Sequence, residues 1–292
     1  MAASREDARV VVIGDALVDA IDGASHPGGA ALNVAIGLAR LGVPARLVAM
    51  VGDDAPGRVL REHCERHCVD VVATPAPLGT AVATAVRDGD TMRYEFNAAG
   101  VGRFVELAGL EPLLDEAPLV VVSCLALEHE QQVAPLLALE RSSERLLIDP
   151  NARPAYLREA GAVARFAQGL DSLAARALLV KLSDEDAELV YGEDADATAA
   201  RLVAAGARAV AVTRGPAGAT IVTRDGAVDA AVPALAAPIV DTIGAGDSVL
   251  ASLTASVISG AHEGGWVGPL ERAMAVAAAT TRSPGGLLQL PG

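Results

Sequence analysis

Only 2% of the 292 residues are aromatic, so a core of stacked rings is excluded and the interior must come from Ala, Val, Leu and Ile packed between layers. Three cysteines, Cys64, Cys68 and Cys124, are an odd set and exclude a disulfide framework. With an N-terminus, MAASREDAR, that lacks the apolar core of a signal peptide, they point to the reducing cytoplasm. No stretch reaches the about 18 unbroken apolar residues of a spanning helix, so no membrane segment is expected. No Lys/Arg block occurs and the formal net charge is −14, which disfavours nucleic-acid and anionic-membrane partners. An anionic ligand would have to be met by backbone N–H groups, helix N-termini, a metal ion and a few chosen cations. The sequence has neither a G-x-G-x-x-G after its first strand nor a Walker A loop, against a nicotinamide-dependent dehydrogenase and a P-loop enzyme.

What is present alternates. RVVVIG (9–14) reads as a strand, and GGAALNVAIGLARLG (28–42) as a helix closed by Gly42. RLVAMVG (46–52) and the Pro-led PGRVLREHCERHC (56–68) repeat the unit. In GTAVATAVRDGDTMRYEF (79–96), Thr80, Val82, Thr84 and Val86 alternate, as do Met92, Tyr94 and Phe96, about the turn signal Asp88-Gly89. This predicts a hairpin apart from the helix and strand rhythm. The rhythm resumes with LVVVSC (119–124), a helix near 129–141, RLLID (145–149), a helical stretch to about 175, ALLVKL (177–182), helices across 184–206, and AVAVT (209–213). A short β-rich stretch (219–232) follows, then a helix opened by a Gly-rich turn, with Val249, Leu250, Leu253, Val257 and Ile258 on one face. The pattern predicts one α/β domain over residues 1–292 with a mainly parallel sheet covered on both faces and a small β insertion.

The most informative stretch is Asp241-Thr242-Ile243-Gly244-Ala245-Gly246-Asp247. Two glycines about an alanine, just before a helix, leave N–H groups uncovered and aimed with the positive end of the dipole at a common point. Asp247, in the same field, suits a base that accepts a hydroxyl proton. Helix capping by Asp247 and Ser248 is the other reading of the same residues.

This stretch resembles the C-terminal signature of the ribokinase (PfkB-type) family of carbohydrate kinases. Gly28-Gly29, then Asn33, Ala35 and Leu38-Ala39-Arg40-Leu41-Gly42 are similar to its N-terminal signature. Two independent signatures in the right order, at opposite ends of the chain, are more specific than either alone, and the resemblance spans essentially the whole chain. It implies a ribokinase-like three-layer α/β/α sandwich with a small β-sheet lid near 15–25 and 79–104. The activity implied is transfer of the γ-phosphoryl of ATP to a sugar hydroxyl, with Mg²⁺ and an option of a monovalent cation such as K⁺. Independently, the apolar lid strand with Val82, Val86 and Tyr94 invites pairing with a second copy as a homodimer.

By the same resemblance, Gly244, Ala245 and Gly246 form the anion hole, Asp247 is the base, and Asp19, Gly28, Gly29 and Asn33 meet sugar hydroxyls. Ser183 and Asp186 in Lys181-Leu182-Ser183-Asp184-Glu185-Asp186 face nucleotide phosphates, with Asp186 touching Mg²⁺ through water. Thr213, Gly215 and Gly218 lie beside the ATP phosphates with Gly244 and Gly246, and Arg153 in Asp149-Pro150-Asn151-Ala152-Arg153 reaches substrate or a transferring phosphate. Plainer readings stand beside these: Gly28-Gly29 as a turn into the helix, Asp19 as a solvated strand-end carboxylate, Ser183 as a capping box, Arg153 as a surface loop residue. Arg214 reads either as a cation beside those phosphates or as a surface residue. His63, Cys64, His67 and Cys68 have the spacing of a helical metal site but no second cluster, and read as core cysteines. Ile243, Ser248-Val249 and the end SPGGLLQLPG depart from the family pattern. A fructokinase-like hexose kinase is the first hypothesis, a 2-keto-3-deoxygluconate or nucleoside kinase the second, and a non-catalytic sugar-binding regulator the third.

Overall fold

Strand β1 (Val10–Gly14) is buried along its whole length, as a run without polar alternation demands when both faces of a sheet are covered. Val10 and Val12 enter one hydrophobic core and Val11 and Ile13 the other, so successive side chains serve opposite layers. The computed structural model describes residues 9–21, 23–88 and 91–291. The remaining strands are β2 (Leu17–Ile21), β3 (Ala24–Gly28), β4 (Ala45–Met50), β5 (Asp70–Thr74), β6 (Ala81–Asp88), β7 (Thr91–Phe96), β8 (Val120–Ser123), β9 (Leu146–Asp149), β10 (Leu179–Ser183), β11 (Ala209–Thr213), β12 (Ala219–Thr223) and β13 (Gly226–Ala230).

Nine of them form one sheet in the order β13-β12-β11-β10-β9-β8-β1-β4-β5. It is parallel from β11 to β5, and β12 and β13 join antiparallel at one edge. Helices Ala30–Arg40, Ala245–Ile258 and Val267–Thr280 pack on one face. Glu130–Leu137, Ala162–Ala174, Asp184–Tyr191 and Ala195–Ala205 pack on the other. The order reverses at β1, whose neighbours are β8 and β4, and the C-terminal ends of strands at such a reversal open a crevice where α/β proteins place ligands.

A separate sheet, β3-β2-β6-β7, stands beside that crevice. The expected hairpin is there: β6 and β7 pair antiparallel with Ala83 opposite Phe96. Gly89 of its predicted turn lies outside the described residues. The strands run over 17–21, 24–28, 81–88 and 91–96, and beyond Phe96 the chain makes a single helical turn, Ala98–Val101, capped by Asn97. Strand β3 had no sequence signal, because ASHPG lacks β-branched residues and contains Pro27. Its place at the edge of the sheet is where a proline without an N–H is tolerated.

Strand β5 and the helix Glu111–Glu116 likewise add to the predicted elements. Helix after β9 starts only at Ala162, since Pro154 and the loop behind it intervene. Two side chains depart from their expected burial. Ile258 ends its helix 38% exposed. Cys68 is exposed while Cys64 is buried, because the helix stops at Arg66 and Cys68 adopts φ 56, off the apolar face.

The small sheet is tied to the large one by Asp54. Its carboxylate caps the helix Ala55–Arg66 by accepting from Gly57 N–H at 2.8 Å. It also accepts from Thr80 N–H at 2.8 Å and Thr80 Oγ1–H at 2.7 Å, while Gly52 N–H donates to Thr80 Oγ1 at 2.9 Å. Partial burial works against the charge, but these hydrogen bonds win and hold the carboxyl below its ordinary value. Its stabilisation is therefore present at neutral pH and lost as the pH falls through that lowered value. Asp54→Ala should cost about 0.5–2 kcal/mol by denaturant midpoint at neutral pH, with the gap to wild type closing under acid conditions.

Candidate active site

Helix Ala245–Ile258 begins at Gly244, whose φ of 75 places it in the left-handed region that glycine adopts at little cost. No side chain caps this helix. That removes the capping reading of Asp247 and Ser248: Ser248 Oγ donates to Ala245 O at 2.7 Å, and the Asp247 carboxylate is taken up by other elements. Asn33 Nδ2 donates to Asp247 Oδ2 at 2.8 Å, and Asn151 Nδ2 approaches Oδ1 at 3.4 Å. Ala245 N–H turns back onto Thr242 O at 3.3 Å, which leaves Gly246 and Asp247 as the first-turn donors without an intrahelical acceptor.

Lys181 reaches this turn from below. A Cβ on Gly246 would lie 3.0 Å from Lys181 Nζ, so glycine at this position lets the ammonium approach the helix start. Lys181 Nζ also donates to Asp149 Oδ2 at 2.9 Å, with side chains 5% and 0% exposed. Burial pushes the Asp149 carboxyl up to about 6, with Asp186 and Asp247 adding to the push and Lys181 opposing it. Burial alone would lower Lys181, yet Asp149, Asp186 and Asp247 hold its pKa above the ordinary value. The Asp247 carboxyl is raised by burial and by Asp15, against the hydrogen bond of Asn33 and the charges of Lys181 and Arg153. Desolvation thus outweighs the helix field expected to favour its anion.

The other predicted residues fall into three groups. Gly29 lies where β3 meets the helix Ala30–Arg40, with φ 105 and Asp15 O only 2.7 Å from where a Cβ would stand. Arg153 follows Asn151 and acts on Cys124, Asp15, Asp186 and Asp247, which raise its pKa against the pull of burial. Ser183 and Asp186 form the capping box of the helix Asp184–Tyr191, and Asp186 Oδ1 also accepts from Ala152 N–H at 2.8 Å. The box therefore holds the Asn151 loop in place under Asp247.

Asp19 and Gly28 belong to the small sheet instead. Asp19 pairs with His26 across β2 and β3, and its carboxylate would lie 2.4 Å from a Cβ on Gly28. Thr213 stands in register with Ser183, further along the same sheet end. Gly215 opens the turn after it, and Gly218 passes under Ala230 O, 2.3 Å from where its Cβ would be. Arg214 is bound to Thr220 and Asp196.

These positions can be weighed against known proteins. The model of the pfkB family carbohydrate kinases matches residues 7–291. The chain belongs to the PfkB family of carbohydrate kinases. It is 31% identical over 265 residues to a fructokinase of Rhizobium leguminosarum bv. trifolii, covering 85% of this chain and 79% of that protein. It is 33% identical over 270 residues to a fructokinase of Klebsiella pneumoniae, covering 85% and 84%. Among solved structures, a fructokinase with bound ATP from Xylella fastidiosa superposes with a TM-score of 0.78 at 21% identity over 95% of this chain and 93% of that one. This PfkB kinase is accordingly a phosphotransferase acting on a sugar hydroxyl.

Four residues that the structure brings to this candidate site escaped sequence reasoning. Asp15 follows β1 directly, accepts from Ala31 N–H at 3.2 Å and is raised by burial. Its sequence signal is the Gly14-Asp15 pair at the strand end, four residues before Asp19. Lys181 had a signal too, a lone cation inside an otherwise apolar strand. Asn151 and Gly286 had none: the loop conformation alone delivers Asn151, and Gly286 packs against Gly244 and Asn33 from the far end of the chain. Asp241 holds that end, accepting from Ile243 N–H at 2.9 Å and Gly285 N–H at 3.0 Å. Gly244→Ala would place a Cβ 2.3 Å from Gly286 O on a strained backbone. We expect a loss of about 1–3 kcal/mol in thermal unfolding, together with loss of activity.

Proposed function

We propose that this protein is a cytoplasmic, fructokinase-like enzyme in which Asp247 takes the proton of a sugar hydroxyl as that oxygen attacks the γ-phosphorus of ATP. The supporting observation is the Asp247 carboxylate itself, buried in the first turn of an uncapped helix and held by two side-chain amides. The two Asn N–H groups fix its direction, and a buried carboxylate with a raised pKa is a stronger base than one in water. As the new P–O bond forms, the bond from the γ-phosphorus to the oxygen bridging it to ADP breaks, and ADP leaves with the electron pair. Negative charge on the moving phosphoryl group falls where the N–H groups of Gly246 and Asp247, the helix dipole and the Lys181 ammonium converge. Asp149 keeps Lys181 in that position.

The proposal extends to the remaining groups. ATP phosphates lie along the strand ends from Gly244 and Gly246 to Ser183, Thr213, Gly215 and Gly218. Among the described residues no three His, Cys, Asp or Glu side chains cluster as a metal cage, and both oxygens of Asp186 already accept hydrogen bonds. Mg²⁺ bound with the triphosphate therefore fits here through its water shell, facing Asp186, and would neutralise phosphate charge. K⁺ is included in the assay, with turnover compared in its presence and absence. The whole chain acts as one domain, and the small sheet as a lid over the acceptor, with Asp19, Gly28, Gly29, Asn33 and Arg153 meeting the sugar. The exposed lid face, with Tyr94 38% exposed, pairs with a second copy; light scattering at micromolar concentration tests this, and a monomer alone would contradict it.

Acceptor-dependent ADP release over a panel of fructose, other hexoses, 2-keto-3-deoxygluconate and nucleosides tests the activity. Asp247→Asn should bind ATP yet lose several orders of magnitude in kcat. The reactive form of Asp247 is the carboxylate, so activity is present above its raised pKa and lost as the pH falls through it. Lys181→Gln, which removes a charge that lowers the pKa of Asp247, should move the acid limb of residual activity to higher pH. An unmoved limb would assign it to another group.

A further inference from the structure

At the β1 and β8 strand ends, under the small sheet, a narrow cavity of about 20 Å³ is lined by Asp15, Cys124, Arg103, Gln132 and Tyr156 among others. It has room for about one water, so seating a sugar there needs the small sheet to give way. Arg103 is held on two sides. Its guanidinium carbon sits 4.1 Å from the centre of the Tyr156 ring, and Nη1 lies 3.3 Å from Glu128 Oε1, with side chains 11% and 6% exposed. Tyr156 in turn packs on Phe96 at the end of β7, ring centres 4.8 Å apart.

A buried ion pair adds to stability only when its remaining donors and acceptors are satisfied. Here they are not: Arg103 Nε and Glu128 Oε2 are buried without a hydrogen-bond partner among the described residues. The arrangement holds a planar guanidinium rigid beside the cavity, and its outer donors would match hydroxyl oxygens of an acceptor seated there. Glu128 is absent from the cavity wall and compensates the charge from behind. Asp15, on the wall itself, offers a hydroxyl-accepting oxygen and repels anions.

We propose that Arg103 is a specificity-determining residue that binds hydroxyl oxygens of the acceptor away from its reacting end, and that Glu128 cancels its charge so that neutral polyols are accepted over sugar acids and sugar phosphates. This inference rests on the kinase reading above. The chain of contacts from Phe96 through Tyr156 to Arg103 makes closure of the small sheet and alignment of the guanidinium one event.

Steady-state kinetics with D-fructose, D-gluconate and D-fructose 6-phosphate test it. Arg103→Met should raise KM for fructose roughly ten- to a hundredfold, the loss of a charged donor pair, while KM for ATP stays within about twofold. Glu128→Gln keeps the shape and frees the charge, so kcat/KM for gluconate relative to fructose should rise about tenfold or more. Melting curves with and without ATP show that each variant is folded; if Arg103→Met is not, Arg103→Lys is used with the same readout. The proposal is overturned by an acceptor KM that does not move, by an equal rise in the KM of ATP, or by an unchanged preference in Glu128→Gln. A wild type that phosphorylates only acidic acceptors overturns it and leaves the kinase reading standing. Absence of any acceptor-dependent ADP release overturns both.

Discussion

The site depends on keeping one carboxylate, Asp247, out of water beside charges of both signs. Asn33 and Asn151 hold its two oxygens, Lys181 faces the same helix turn, and Asp149 neutralises Lys181 from below. No single contact suffices. Burial raises the carboxyls of Asp15, Asp149 and Asp247 together, while Lys181 acts against this at Asp149 and Asp247 and Arg153 at Asp15 and Asp247. Removing any one charge in this cluster changes the protonation of its neighbours.

The scaffold follows from that requirement. Fully buried parallel strands bring Gly14, Ser123, Asp149, Ser183 and Thr213 to one edge of the sheet, and their register is fixed strand by strand. Loops from four different elements then deliver polar groups to the same crevice, which a rigid parallel sheet permits without distorting its core. The chain end contributes as well, since Gly286 fills the space against Gly244 and Asn33 that any side chain would deny.

Much of the fold was legible because both faces of the sheet are covered. Runs such as VVVIG and AVAVT have no polar alternation, and amphipathic helices stand between them. The Gly-rich turn before Asp247 and the Gly28-Gly29 to Asn33 segment were legible for a different reason, as residue types that only close backbone approach or hydroxyl binding requires. Strand β3 and Gly286 were not, since the first lacks β-propensity and the second acts only through distant partners. Asn151 belongs with them: its φ of 41 turns the amide toward Asp247, a choice of loop conformation that composition does not encode. Asp15 was hard to tell from Asp19 in sequence because the chain changes sheets between β1 and β2, so the first acid after the strand stays with the large sheet while Asp19 leaves with the small one.

The most direct measurement is a crystal structure with a non-hydrolysable ATP analogue and a bound acceptor sugar. One acceptor hydroxyl should lie within about 2.6–3.2 Å of an Asp247 carboxylate oxygen, with the terminal phosphate at the N–H groups of Gly246 and Asp247. A sugar bound with every hydroxyl beyond reach of Asp247, or a triphosphate that ends away from that helix turn, would contradict the assignment.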